Sequence, residues 1–226
     1  MALDIITWIW GTKYTTLDIR KLYSGVKKHL KQPFTFNVFT QGPLVGLPTE
    51  IVVRPIADPV LTQRHCFCRL RQFHPRWQEA NGFRGRIISL DLDAVITGPL
   101  DPLFDRPEDF LILQGVNSNN PNPFNGSVTM LRAGKHPEVW DDFSVEKARK
   151  TPFYEFPDDQ GWIWHKLPNA SGWKGGSPSG IYAFQKPGWP AGLVFPTDAR
   201  IVAFIGAKKP SMYRHLGWVQ RHWREH

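Results

Sequence analysis

Cysteine is nearly absent from this chain of 226 residues: there are two, Cys66 and Cys68, separated by a single residue. That spacing is poor for a disulfide and leaves no cross-linked framework, so a reducing compartment is the simplest inference. His65, Cys66, Cys68 and His74 do not have the spacing of a standard zinc site. Long apolar runs are missing too: no stretch approaches the roughly 18 residues that span a bilayer. The opening Met1-Ala2-Leu3-Asp4-Ile5-Ile6-Thr7-Trp8-Ile9-Trp10 has no basic leader and reads as a strand rather than a signal peptide. A cytoplasmic chain is expected, and the sequons at Asn125 and Asn169 are then coincidental. No internal repeat or shift of composition marks a second domain, so residues 1–226 are read as one. Acids are in deficit. Lys and Arg number 28 against 20 Asp and Glu, a net charge of +8, which favours an anionic partner without choosing among nucleotide, nucleic acid and lipid surface.

What is present fits a packed globular domain: 41% apolar and 21% charged residues, with ten Trp. Strands are expected at 5–10, 34–39, 51–53, 86–93, 110–113, 127–131 and 201–205 from their apolar, β-branched and aromatic content. Between the first two, Ile19, Leu22, Tyr23, Val26 and Leu30 follow a 3.6-residue period behind a cap at Thr15 or Thr16. Further helices are expected at 64–73, 137–150 and from Asp158-Asp159-Gln160 onward, with a short helical piece before Phe104. The Gly- and Ser-rich stretch 171–180 reads as a mobile loop. Alternating strands and helices argue for an α/β fold, a mostly parallel mixed sheet with helices on both faces.

One segment carries chemistry. Arg86-Ile87-Ile88-Ser89-Leu90-Asp91-Leu92-Asp93 is an apolar run that ends in two carboxylates. Residues two apart on a strand point to the same side, so Asp91 and Asp93 can converge on one hard cation, Mn²⁺ or Mg²⁺. The carboxyl ends of strands are also where open α/β sheets bind ligands.

Several segments, in order, resemble the glycogenin-like retaining glycosyltransferases of family eight and their bacterial relatives, which have the GT-A fold. Thr7-Trp8-Ile9-Trp10-Gly11-Thr12-Lys13-Tyr14 is similar to their first strand and nucleotide-binding turn, and Leu90-Asp91-Leu92-Asp93 to their metal motif. Phe124-Asn125-Gly126-Ser127-Val128 is similar to their FNSGV strand with the small residues transposed. Asp159-Gln160 matches a helix start, and 204–210 lies where the family has FHGxxKP. The resemblance implies a hexosyltransferase that uses a nucleoside-diphosphate sugar, a UDP-sugar by preference, and a glycan or lipid-linked acceptor. It implies metal ligation by Asp91 and Asp93 and reaction-face roles for Asp159 and Gln160. It also implies donor binding by Thr7, Trp10, Lys13, Tyr14, Asp91, Asn125, Gly126, Ser127, Lys208 and Lys209. One position departs: the family has a metal-binding His after the Phe of its last motif, and here that residue is Ile205, which cannot ligate.

That departure keeps a second reading open, a non-catalytic sugar-nucleotide or glycan-binding protein on the same fold. A phosphatase of the haloacid-dehalogenase type fits poorly, because Ala94-Val95 rather than Gly-Thr follows the acids. The basic, aromatic tail 213–226 is open to packing on the domain or to peripheral contact with the inner face of a membrane. No nucleic-acid partner is expected.

Overall fold

The computed structural model describes residues 2–56, 58, 66–118, 121–151 and 158–226. Its centre is a seven-stranded sheet in the order β3-β2-β1-β4-β7-β6-β8. The strands are β1 (Leu3–Ile9), β2 (Phe34–Thr40), β3 (Ile51–Pro55), β4 (Arg86–Leu90), β6 (Phe110–Gln114), β7 (Phe124–Arg132) and β8 (Gly172–Lys174). β1, β2, β3 and β4 are mutually parallel, whereas β7 runs antiparallel to both β4 and β6. A small sheet of β5 (Ala94–Ile96), β10 (Ile201–Ala203) and β9 (Ile181–Ala183) lies beside it.

The alternation of a strand assigns its residues to two faces. On β1, Leu3, Ile5 and Ile9 join one core with Leu22 and Val26 of α1 (Thr16–His29) and the inner residues of the small sheet. Ile6 and Trp8 join the opposite core with Leu70, Val139 and Trp162. These come from a 3-10 helix (Phe67–Phe73), from α4 (Glu138–Asp141) and from α6 (Asp159–Lys166). Helices therefore cover both faces. Thr15 caps α1, and Asp18 Oδ2 accepts the Thr15 amide at 2.8 Å.

Several expectations need correction. The stretch 137–150 is two short helices, α4 and α5 (Val145–Arg149), because Ser144 Oγ accepts the Lys147 amide and starts the second. The stretch 171–180 is not simply a loop: it contains β8, whose backbone pairs with β6 so closely that a Cβ on Gly172 would lie 2.3 Å from the Ile112 carbonyl. The helix expected at 64–73 is the 3-10 helix Phe67–Phe73, followed by α2 (Pro75–Ala80); its first expected turn lies outside the described residues. The short helical piece before Phe104 is α3 (Asp101–Phe104). After a 3-10 turn (Pro210–Tyr213) comes α7 (Gly217–His222), whose Trp218 and Val219 pack with Trp223, Phe184 and Phe204 in a third core. The aromatic tail is turned inward. No helix of the described residues is long and apolar enough to cross a membrane.

β7 is also irregular. Ile112 pairs with Thr129 and the next residue, Leu113, with Asn125, so Gly126, Ser127 and Val128 have no partner on β6. This swelling lies beside the carboxyl end of β4, where Leu90 pairs with Val128.

Candidate functional site

A cavity of about 370 Å³ opens where β1 and β4 end, β7 begins and α6 starts. Asp91 and Asp93 both line it. They sit one step beyond β4 in a turn, where the Ala94 amide donates to the Asp91 carbonyl at 3.0 Å and the Asp91 amide donates to the Ser127 carbonyl at 3.0 Å. The turn, rather than strand alternation, brings the two acids to one cavity.

Each carboxylate already has partners. The Tyr14 hydroxyl donates to Asp93 Oδ2, and Lys13 Nζ lies 3.7 Å from the same oxygen. Arg69 Nη1 donates to Asp91 Oδ1 and, at 3.3 Å, to the Gly126 carbonyl. Its Nη2 donates to Asp159 Oδ1 at 2.9 Å, and its Nε lies 2.8 Å from Asp159 Oδ2. Arg69 and Asp159 are both buried. Burial lifts the Asp159 carboxyl above its ordinary value against the pull of Arg69, while the two acids hold Arg69 firmly protonated. Burial and the neighbouring Asp91 push Asp93 up to about 7, although Tyr14, Lys13 and Arg69 pull the other way. The Cys66 thiol on the cavity wall is pushed up to about 12 by burial, so it is protonated and inert at neutral pH.

The remaining wall comes from β7 and α6. Gln160 Oε1 accepts the Gly126 amide at 3.0 Å, and Asn125 Oδ1 accepts the Ser127 amide at 3.1 Å. Asp158, not Asp159, caps α6, accepting the Gly161 amide at 2.8 Å. Gly126 has no room for a side chain, since a Cβ there would stand 2.9 Å from Arg69 Nη2 and 3.3 Å from Asp159 Oδ2. The transposed Asn-Gly-Ser order thus places its glycine against the guanidinium.

Of the residues singled out in the sequence, Trp10, Lys13, Tyr14, Asp91, Asp93, Asn125, Gly126, Ser127 and Gln160 line the cavity together. Asp159 stands behind the wall on Arg69. Thr7 does not reach the cavity: it is fully buried, on the α1 side of β1 by strand parity. Lys208 is directed elsewhere and donates to Gln185 Oε1 at 2.6 Å. Lys209 touches only the rim, donating to the Lys13 carbonyl at 2.8 Å. Trp8, Phe204 and Ile205 also line the cavity. Arg69 was not anticipated. Its signal was a charge within the apolar run Phe67-Cys68-Arg69-Leu70, which burial obliges to find acids.

The residues present fit a divalent ion of the hard, oxygen-loving kind in part. Asp93 Oδ1 is buried with no hydrogen-bond partner, an orphaned acceptor. Such ions are commonly held by one or two carboxylates plus water and substrate phosphates. No third ligand stands by: among the described residues no group of three or more His, Cys, Asp or Glu could hold a metal, and Ile205 occupies the wall. No histidine is among the residues lining the cavity, and His215, the imidazole that follows this segment in the chain, is not one of them.

No protein-family model matches this chain, and no curated protein matches it in sequence. Solved structures do. The crystal structure of an active-site glutamine-to-glutamate mutant of LgtC superposes with a TM-score of 0.64 at 15% identity, covering 96% of this chain and 93% of the other. The galactosyltransferase LgtC in complex with donor and acceptor sugar analogues superposes with a TM-score of 0.61 at 15% identity, covering 92% of this chain and 88% of the other. The fold is that of LgtC, a GT-A fold. The expected α/β architecture is therefore established.

Proposed function

We propose that this chain is a cytoplasmic glycosyltransferase that moves a hexose from a nucleoside-diphosphate sugar, a UDP-sugar by preference, to a hydroxyl of a glycan or lipid-linked acceptor. The observation that carries the reading is the convergence of Asp91, Asp93, Asn125, Ser127 and Gln160 on one cavity of a GT-A fold. Asp91 and Asp93 would hold Mn²⁺ or Mg²⁺, with the donor's own diphosphate completing the shell. A divalent ion held there supplies a Lewis acid for the charge that develops on the leaving diphosphate.

The chain's own groups do the rest. Lys13 places a fixed positive charge beside Asp93, where an anionic leaving group would lie. Arg69 orients Asp91 and, through Gly126, the loop that faces the donor. Asp159, with both oxygens on Arg69, is a positioning residue in this reading, and Gln160 is the group that meets the sugar. Retention of configuration is carried over from the family resemblance. The Trp residues of 213–226 pack against the domain and with its own cations (Lys21 Nζ lies 3.4 Å from the Trp223 ring).

Calorimetry with UDP and Mn²⁺ tests the proposal. Binding by the wild type and at least roughly tenfold weaker binding by Asp93→Ala are expected, given the strength of charge-assisted contacts; equal binding by both would count decisively against it. Ile205 favours a second reading, a binder without turnover. A screen of sugar nucleotides for released nucleotide separates the two: release from one donor supports transfer, and tight binding with no release supports the binder.

A further inference from the structure

The stretch Trp189-Pro190-Ala191-Gly192-Leu193-Val194-Phe195-Pro196 contains no charge and connects β9 to β10. Its ends are fixed. Trp189 meets Trp218 with ring centroids 6.0 Å apart, and Phe195 stacks on Trp218 at 5.1 Å and on His222 at 5.9 Å. Its tip is not covered: Leu193 is 46% and Val194 64% exposed, and they are two of the few large apolar side chains that the described residues leave in solvent. A pair of aliphatic tips raised on an aromatic base is unlike a loop whose apolar residues fold inward.

The sequence around the loop is strongly basic. Residues 185–226 carry seven Lys or Arg against two Asp or Glu, so this stretch supplies five of the eight net positive charges. Of these, Arg221 and Arg224 are exposed on and after α7, the helix on which Phe195 rests. Glu225, one of the two acids, is engaged by Arg20 at 3.1 Å, and Asp198, the other, accepts from the Tyr182 hydroxyl at 2.6 Å. An aliphatic tip beside unneutralised cations is complementary to an anionic phospholipid surface, which takes the tip below its headgroups and the cations at them. The base of the loop also reaches the cavity wall through one intervening ring. Phe204 on the cavity wall stacks on Phe184 at 4.8 Å, and Phe184 meets Trp189 at 5.0 Å.

We propose that loop 189–196, with Leu193 and Val194 as its inserting tip and α7 as its basic flank, docks the protein on an anionic bilayer. This relocates the membrane contact expected of 213–226: Trp218 of that segment forms the buried foundation, and the contact is made by the loop standing on it. It rests on the domain's surface and does not require donor turnover.

Sedimentation with vesicles tests it. The full chain should pellet with vesicles of phosphatidylcholine and phosphatidylglycerol and stay in solution with phosphatidylcholine alone. Leu193→Asp with Val194→Asp should lower the bound-to-free ratio about tenfold or more, and Arg221→Ser with Arg224→Ser should lower it by several fold. The melting temperature and UDP binding of these variants should equal those of the wild type, which separates failure of docking from failure of the donor site. Should the double Asp variant fold poorly, Val194→Ser replaces it with a smaller expected loss. No pelleting of the wild type overturns the proposal. So does undiminished pelleting of the tip variants, which would assign binding to charge alone. Concentration-dependent dimerisation abolished by the tip variants, without vesicle binding, overturns it in favour of a second copy of the chain.

Discussion

Arg69 is the residue on which the candidate site turns. Its guanidinium bridges Asp91 in the acid turn and Asp159 at the head of α6, and also holds the Gly126 carbonyl between them. Breaking a buried pair by removing one partner strands the other charge, at a cost of about 3–5 kcal/mol. Arg69→Met should therefore lower unfolding stability by about that amount and eliminate UDP binding. Arg69→Met with Asp159→Asn should recover most of the stability and none of the binding, as urea unfolding and calorimetry would read. Asp91 and Asp93 were legible in the sequence because an apolar run that ends in acids must deliver them at the edge of the core. Arg69 was not, because its partners lie 22 and 90 residues away and no local pattern announces them. Thr7 illustrates the reverse error: it shares strand parity with Ile5 and Ile9, which face α1, whereas Trp8 and Trp10 share the parity of the cavity wall.

Among the elements, α7 carries a built-in acid sensitivity. His222 is pushed down to about 4 by burial and by the charges of His29, Arg221, Lys28 and His226. A histidine whose folded value lies below its unfolded value of about 6.5 binds its proton more weakly in the native state. Its stabilising share is complete above that pH and is lost as pH falls toward 4. His222→Phe, which keeps a ring against Phe195, should match the wild-type melting temperature near pH 8 and exceed it increasingly between pH 6.5 and 4. Long, strongly patterned elements such as α1 and β1 were readable in the sequence. β5, β8 and β9, of three residues each, were not, since three residues cannot establish a period and only pairing with a neighbour makes them strands. The division of 137–150 into two helices was signalled by Ser144, a capping residue placed where a continuous helix would bury its middle turn.

At the scale of the molecule, the excess of eight positive charges works on any anionic ligand before contact. Steering of this kind falls with ionic strength as the screening length shrinks from about 10 Å at 0.1 M toward 3 Å at 1 M. The association rate of a UDP-sugar should therefore fall several fold between low salt and about 0.5 M NaCl, with a smaller change in dissociation, as stopped-flow fluorescence of the cavity tryptophans would show. The GT-A architecture was legible only from the order of several weak motifs. At 15% identity to LgtC the two chains nonetheless share one fold over 96% of this chain. The swelling of β7 gives that cavity a particular rigidity. Gly126 and Ser127 bow away from β6, but the strand is anchored by ladder bonds to β6 on either side of the bow and to β4 along its flank. Such a bow can change length only by whole residues, and a single-residue step would turn every later side chain of β7 to the opposite face. The width between the acid turn and Asn125 is accordingly quantised: room for a larger ligand must come from trimming side chains, not from easing the backbone apart.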